Sequence, residues 1–357
     1  MASALSLKLV LEPHFHQFML DSCMATHYSQ YSITFPSGVV TALVTPLQVN
    51  GRLDGLGLDR LIEAQISAGV NGIFILGSVG EGPLLADDVA NEVVRRTVAR
   101  VARRVTVYAG ASDNSVVRCR HRIDRLATHG VDYAVLTLPY YNWPERVGES
   151  VRFFARVAAD SPLPLLAYNL PKAVGWRMPV AAIEELYEIP NLAGLKDTHG
   201  ELADLEAVAS SPRRPPHFSY LIGNSSLAGR LFRKGANGVV TTPANVYPAP
   251  FVALWAAYRE GRFNLLDTID REWIAPVVRL LDAMPTGASA IKGMLELQGV
   301  CQCHTVAPWP EADKEDLARL EVVRASIEAD LARSTQLAAI QPVAKSGNTN
   351  AALSAAG

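Results

Sequence analysis

His129-Gly130-Val131-Asp132-Tyr133-Ala134-Val135-Leu136-Thr137-Leu138 is the stretch from which the fold can be read. It closes an amphipathic segment, 115–129, with a glycine and then runs into six residues without a charge. Glycine readily takes the left-handed conformation that ends a helix. An uninterrupted apolar run is what a strand buried on both faces requires. The same joint recurs at Gly69-Val70-Asn71-Gly72 and at Lys234-Gly235-Ala236-Asn237-Gly238. Working outward from it, short apolar runs appear at 39–44, 73–76, 105–109, 133–138, 164–168, 192–195, 220–222 and 238–240. Between them, helical periodicity marks 56–68, 87–103, 115–129, 147–159, 179–188, 201–209 and 225–234. In 87–103, Val89, Val93, Val94, Val98 and Val101 form one face, and the arginines Arg95, Arg96, Arg100 and Arg103 read as a solvated surface.

Eight such units in series, with short connections, predict an α/β fold: a TIM (β/α)8 barrel. An open doubly wound sheet would carry a glycine-rich dinucleotide turn after its first strand, where Thr45-Pro46-Leu47 stands instead. The expected organisation is an N-terminal arm (1–36), the barrel (37–261), a C-terminal helical extension (262–334, with helices around 265–281, 288–298 and 314–332) and a flexible tail (335–357).

The 357 residues are 49% hydrophobic and 19% charged, enough apolar material for a full core. With 33 basic and 35 acidic residues the net charge is −2, which offers no electrostatic footprint for nucleic acid or an anionic membrane. No apolar run reaches the about 18 residues of a membrane span. Residues 5–11 are a short, largely apolar stretch carrying Lys8 and lead into His14, Phe15 and His16 with no cleavage pattern, so no secretory leader is expected. Met24 is a second candidate start. Cys23, Cys119, Cys301 and Cys303 are too scattered for a disulfide framework and fit a cytoplasmic location. Cys301, Cys303 and His304 form a Cys-x-Cys-His cluster without a second ligand pair. The cluster reads as a helix end with two small apolar side chains. No metal, nucleotide or flavin cofactor is expected.

In a TIM barrel the reactive groups stand where strands end and loops begin. Strand two ends in Gly77-Ser78-Val79-Gly80-Glu81-Gly82, read as a turn entering a helix whose free N–H groups face an anion. Such turns also occur with no ligand. Strand four ends in Pro139-Tyr140-Tyr141-Asn142-Trp143-Pro144, aromatics that suit either catalysis or sealing the barrel mouth. Strand five ends in Tyr168-Asn169-Leu170-Pro171, where a phenol closes an apolar strand and needs a hydrogen-bond partner. Strand six ends in Gly194-Leu195-Lys196-Asp197. A lysine there points to the mouth, where desolvation disfavours the ammonium and frees a nucleophilic amine. The plainer alternative is a lysine reaching solvent or paired with Asp197.

Together these motifs, with Ile222-Gly223-Asn224 and Gly238-Val239-Val240, resemble the dihydrodipicolinate synthase / N-acetylneuraminate lyase family over about 38–331. The resemblance implies a class I lyase that forms a Schiff base with pyruvate or a related 2-oxo acid, usually together with an aldehyde, and works as a homodimer or homotetramer. It implies that Lys196 forms the imine, that Tyr168 is the general acid/base and that Ser78 is the relay hydroxyl. Tyr141 matches a tyrosine that a neighbouring subunit inserts. The backbone N–H groups of Ser78 and Val79, with Gly80, would hold the carboxylate, and Gly223 and Val240 would line the pocket.

The departures bear on the substrate. Val79 stands where most members carry Thr or Ser, which removes a carboxylate contact of about 1 kcal/mol. Ala173, with Lys172 beside it, stands where dihydrodipicolinate synthases place an arginine for the aldehyde's distal carboxylate, and a lysine does not reproduce a bidentate guanidinium. The expectation is an aldolase or hydratase-aldolase that is not a true dihydrodipicolinate synthase. Trp143 and Trp176 suit either a larger, more apolar second substrate or packing. The alternatives are a dehydratase or decarboxylase of a sugar-derived 2-oxo acid, and a binding homologue without turnover.

Overall fold

Strand composition explains why the sheet closes. The computed structural model describes residues 35–141 and 147–333. The expected arm up to residue 34, Asn142, Trp143 and the tail lie outside the described residues. The strands are β1 (Gly38–Ala42), β2 (Gly72–Ile75), β3 (Thr106–Gly110), β4 (Tyr133–Thr137), β5 (Leu165–Asn169), β6 (Leu192–Asp197), β7 (Ser219–Ile222) and β8 (Gly238–Thr241). They pair in parallel in chain order, and β8 returns to β1 from Gly38↔Gly238 to Thr41↔Thr241. Closure leaves no sheet edge to satisfy.

Each expected strand lies within two residues of its sequence reading. The run at 73–76 stops at Ile75 because Leu76 turns left-handed (φ 54°). Side chains alternate across the sheet with period two. Leu165, Ala167, Leu195 and Tyr220 therefore join the core shared with the helices, while Val40, Phe74, Leu166, Tyr168, Leu221 and Val240 fill the barrel interior. Tyr108 and Tyr133, stacked with centroids 5.2 Å apart, plug its N-terminal end.

The outer helices are α1 (Gly55–Ala68), α2 (Asp87–Val101), α3 (Val116–His129), α4 (Val147–Ala158), α5 (Val180–Glu185), α6 (Leu202–Ala209), α7 (Ala228–Arg233) and α8 (Pro248–Arg259). Gly69 (φ 88°) and Gly130 (φ 83°) end α1 and α3 in the left-handed conformation that the joint requires. The α2 arginines do more than face solvent: Arg96 pairs with Asp59 at 2.8 Å and Arg100 with Glu63 at 2.6 Å, fastening α2 to α1.

Two readings need correction. Helix α8 was not among the expected helices; Pro248 and Pro250 both sit in its first turn, where the missing N–H costs nothing. The loop after β2 does not enter a helix. Residues 77–85 form successive turns, and α2 begins only at Asp87.

The C-terminal extension consists of α9 (Phe263–Ile269), a π-helical turn (Asp270–Ile274), α10 (Ala275–Val278), a 3-10 turn (Arg279–Asp282), α11 (Gly287–Leu297) and α12 (Lys314–Arg333). Cys301 and Cys303 lie beyond the end of α11, buried, with burial the first cause pushing each thiol up to about 12. They are inert fillers at neutral pH. Among the described residues no helix is long and apolar enough to cross a membrane.

Asp270 in the π turn provides a test of this packing. Burial, then the charge of Asp267, raises its carboxyl from 3.8 to about 6. The fold therefore favours the neutral acid: stability is unaffected below about pH 4, falls as pH rises towards 6, and stays lowered above it. Asp270→Asn is expected to stabilise the protein by about 1 kcal/mol at pH 7, after discounting for partial exposure, and by nothing at pH 4. Urea unfolding at both pH values checks this; an equal effect at the two would refute it.

Candidate active site

The C-terminal ends of β5 and β6 bring the two strongest candidates together. Tyr168 and Lys196 are direct register partners, so both side chains point inward at the same height. Lys196 is 5% exposed and Tyr168 6%. The Lys196 Nζ lies 4.0 Å from the centre of the Tyr168 ring and 4.8 Å from that of Phe74. The amine is thus walled by two aromatic faces in the interior, not released to solvent.

Asp197 does not pair with it. One residue further along the strand, it faces the helix layer. There it accepts from Asn169 Nδ2 (3.0 Å) and the Tyr220 hydroxyl (3.1 Å), and it contacts His199 Nδ1 (3.0 Å). Burial pulls the His199 imidazole down, but the bond to Asp197 and the charges of Asp197 and Asp204 outweigh it and raise its pKa. Burial, then Asp197, pushes the Tyr220 phenol well above its usual range. This buried network locks the end of β6 and therefore the backbone that carries Lys196.

The Tyr168 hydroxyl is reached by Thr198, whose Oγ1 donates to it at 3.4 Å. Thr198 was not singled out from the sequence; its only cue was its place two residues after Lys196. Gly223 accounts for its position. A Cβ on Gly223 would stand 2.0 Å from Thr198 Oγ1, so the glycine leaves room for the hydroxyl, and its N–H donates to Asp197 O at 2.6 Å. Val240, 4% exposed, belongs to the interior wall, as does Phe74, another residue the sequence did not flag.

Ser78, Val79 and Gly80 lie in the turns after β2. Ser78 and Val79 are half-buried, and the Ser78 carbonyl accepts the Glu81 N–H at 3.1 Å. The Val79 side chain packs against the outer core. The Gly80 carbonyl accepts from Thr45 Oγ1 at 2.7 Å. Thr45 had entered the sequence reading only as the absence of a dinucleotide turn; it ties the β1 and β2 loops together.

Tyr141 stands apart, 71% exposed, and its N–H and that of Tyr140 both donate to Asn114 Oδ1 (2.8 and 3.0 Å). Ala173 and Lys172 are exposed on the single helical turn Pro171–Val174, and Trp176 packs partly buried against the outer core. Among the described residues no three His, Cys, Asp or Glu side chains gather as metal ligands would.

An amine buried beside a phenol, with a second hydroxyl in reach, can attack a carbonyl and pass protons to the oxygen that leaves. Comparison with known proteins agrees with that chemistry. The sequence model of the dihydrodipicolinate synthetase family matches residues 35–327. A 4-hydroxy-tetrahydrodipicolinate synthase of Exiguobacterium sp. is 31% identical over 265 residues, 74% of this chain and 88% of that protein. The solved 4-hydroxy-tetrahydrodipicolinate synthase of Methylacidiphilum fumariolicum SolV superposes with a TM-score of 0.78 at 29% identity, covering 85% of this chain and 99% of that one. A prophage protein of the family from E. coli K12, solved in complex with pyruvate, superposes with a TM-score of 0.76 at 25% identity, covering 82% and 98%. The chain therefore belongs to the dihydrodipicolinate synthetase family and is a class I lyase of the pyruvate-type aldolase kind.

Proposed function

We propose that this enzyme binds pyruvate, or a closely related 2-oxo acid, as an imine on Lys196 and makes or breaks a carbon–carbon bond to an aldehyde. One observation carries the reading: the Lys196 amine lies buried, 4.0 Å from the ring of its register partner Tyr168. The amine adds to the keto carbon, Tyr168 protonates the carbinolamine oxygen, and water leaves. The resulting iminium draws electrons from the adjacent carbon, whose proton passes to the Tyr168 phenolate, giving an enamine that attacks the aldehyde; the alkoxide so formed takes that proton back from Tyr168, and hydrolysis returns the amine. The Ser78 hydroxyl relays protons to Tyr168, and the N–H groups of Ser78 and Val79 receive the carboxylate, with Gly80, Gly223 and Val240 shaping the pocket. Tyr141, exposed on its own chain, serves the site of a second copy, so the working unit is at least a dimer.

Ala173 offers no guanidinium to a distal carboxylate, so a true dihydrodipicolinate synthase activity is not the preferred reading. A second reading, dehydration or decarboxylation of a sugar-derived 2-oxo acid, is favoured by one feature: Thr198 adds a hydroxyl beside the Tyr168 phenol. Both readings run through the same imine. The test combines borohydride reduction in the presence of pyruvate, read by intact mass, with a rate comparison across aldehydes. A reduced adduct and faster turnover of neutral aldehydes than of one bearing a carboxylate are expected. The carboxylated aldehyde should lose roughly tenfold or more for want of a charge-assisted bond. Absence of an adduct with any 2-oxo acid would leave a binding homologue, and a preference for the carboxylated aldehyde would reinstate the synthase.

A further inference from the structure

Glu81 and Lys292 are both fully buried and form an ion pair. Glu81 belongs to the turns after β2, three residues beyond Ser78; Lys292 lies in the middle of α11 in the C-terminal extension. The pair is further tied on both sides. Lys292 Nζ donates to His304 O at 2.6 Å, and Glu81 Oε2 accepts the Val306 N–H at 2.5 Å, a contact spanning 225 positions. Glu81 holds a left-handed backbone (φ 59°), and its carbonyl accepts from Leu84 and Leu85 at 2.8 and 3.1 Å. A side chain in that conformation persists only where its surroundings over-determine it. Here the surroundings are the carboxylate's own contacts with the extension.

Burying two charges is costly even when they are paired, and hydrophobic substitutes of similar volume often serve the fold as well. A buried pair that joins a site loop to a remote helix specifies a position that apolar packing would leave loose.

We propose that Glu81–Lys292 is a positioning pair: the C-terminal extension, acting through it, sets the orientation of the Ser78–Val79–Gly80 turn that receives the carboxylate of the 2-oxo acid. This rests on the reading of that turn under Proposed function. Neither residue touches the substrate. Glu81 orients the turn through its backbone, where its N–H meets Ser78 O at 3.1 Å and the Gly82 N–H meets Gly77 O at 3.1 Å. Thr45, on Gly80 O, holds the opposite side.

The test separates carboxylate recognition from imine formation by comparing pyruvate with acetone, a ketone that has no carboxylate. The variant is the double replacement Glu81→Gln/Lys292→Met, which removes both charges together and strands neither. In borohydride trapping, the wild-type preference for pyruvate over acetone, read as the ratio of half-saturating concentrations, is expected to fall about five- to tenfold in the folded variant. An unchanged preference in a folded variant overturns the proposal and leaves the pair a stability element only. Where the variant does not fold, hydrogen exchange on the wild-type protein decides. Saturating pyruvate is expected to slow exchange at Val306 as well as at 77–82, because coupling between sites is reciprocal. Protection confined to the barrel loops overturns the proposal. Should wild-type protein form no adduct with pyruvate, the site reading itself falls and the proposal with it, a result distinct from an adduct formed with unaltered preference.

Discussion

Lys196→Ala is expected to abolish the borohydride-stable adduct with pyruvate and to lower kcat/KM by roughly ten-thousand-fold or more, the scale seen when a covalent nucleophile is removed. The other described lysines cannot substitute. Lys172, Lys234 and Lys314 are exposed to solvent. Lys292, the second buried lysine, is fixed by Glu81 and the carbonyl of His304. The alanine removes a long side chain from between two aromatic rings, so some stability is lost as well, and the circular dichroism spectrum of the variant must match the wild type before the loss is assigned to chemistry. Intact-mass analysis after reduction is the direct measurement. A pyruvate adduct that survives in the variant would show that the imine forms elsewhere.

The second large effect is expected at the phenol. Tyr168→Phe keeps the ring that walls the Lys196 amine and deletes only the hydroxyl. Because that hydroxyl's contact with Thr198 is long, 3.4 Å, the fold should barely register its loss. Proton transfer should register it strongly, with kcat reduced about 10²- to 10⁴-fold. The adduct should still form on long incubation, since the amine is intact, but it should accumulate slowly. Rapid-quench trapping resolves the two phases. Turnover near the wild-type rate would remove Tyr168 from proton transfer and point to Thr198 or Ser78 in its place.

The two variants also separate the parts of the site. Loss of adduct with Lys196→Ala reports bond formation to the protein. Slow adduct with Tyr168→Phe reports the protons that accompany it. A chain that retained the barrel only to bind a 2-oxo acid would show neither effect, because its wild type would form no adduct to lose.

Much of this was legible along the chain because the relevant signals are local. Eight apolar runs alternating with helical periodicity specify strands and helices, and glycine after 68 and 129 marks where one gives way to the other. Lys196 and Tyr168 were legible as strand-end residues, while the register that puts them side by side came from the structure. Helix α8 was missing from that reading, and it begins at Pro248, where a proline fits the first helical turn.

Residues whose function depends on partners far along the chain left no such trace. Asn114 could not be connected with the Tyr140 and Tyr141 amides, nor Thr45 with the Gly80 carbonyl, until closure of the sheet brought neighbouring loops together. Glu81 was visible only as the end of a glycine-rich turn; its burial against Lys292 depends on how the C-terminal helices return to the barrel mouth. The architecture thus follows from short-range periodicity, which a linear chain carries in full, whereas Lys196 stood out only as a strand-end lysine to which the resemblance gave a role. Which hydroxyl reaches the phenol and what holds the turn at 78–80 depend on contacts between distant segments, and these exist only once the core has packed them against one another.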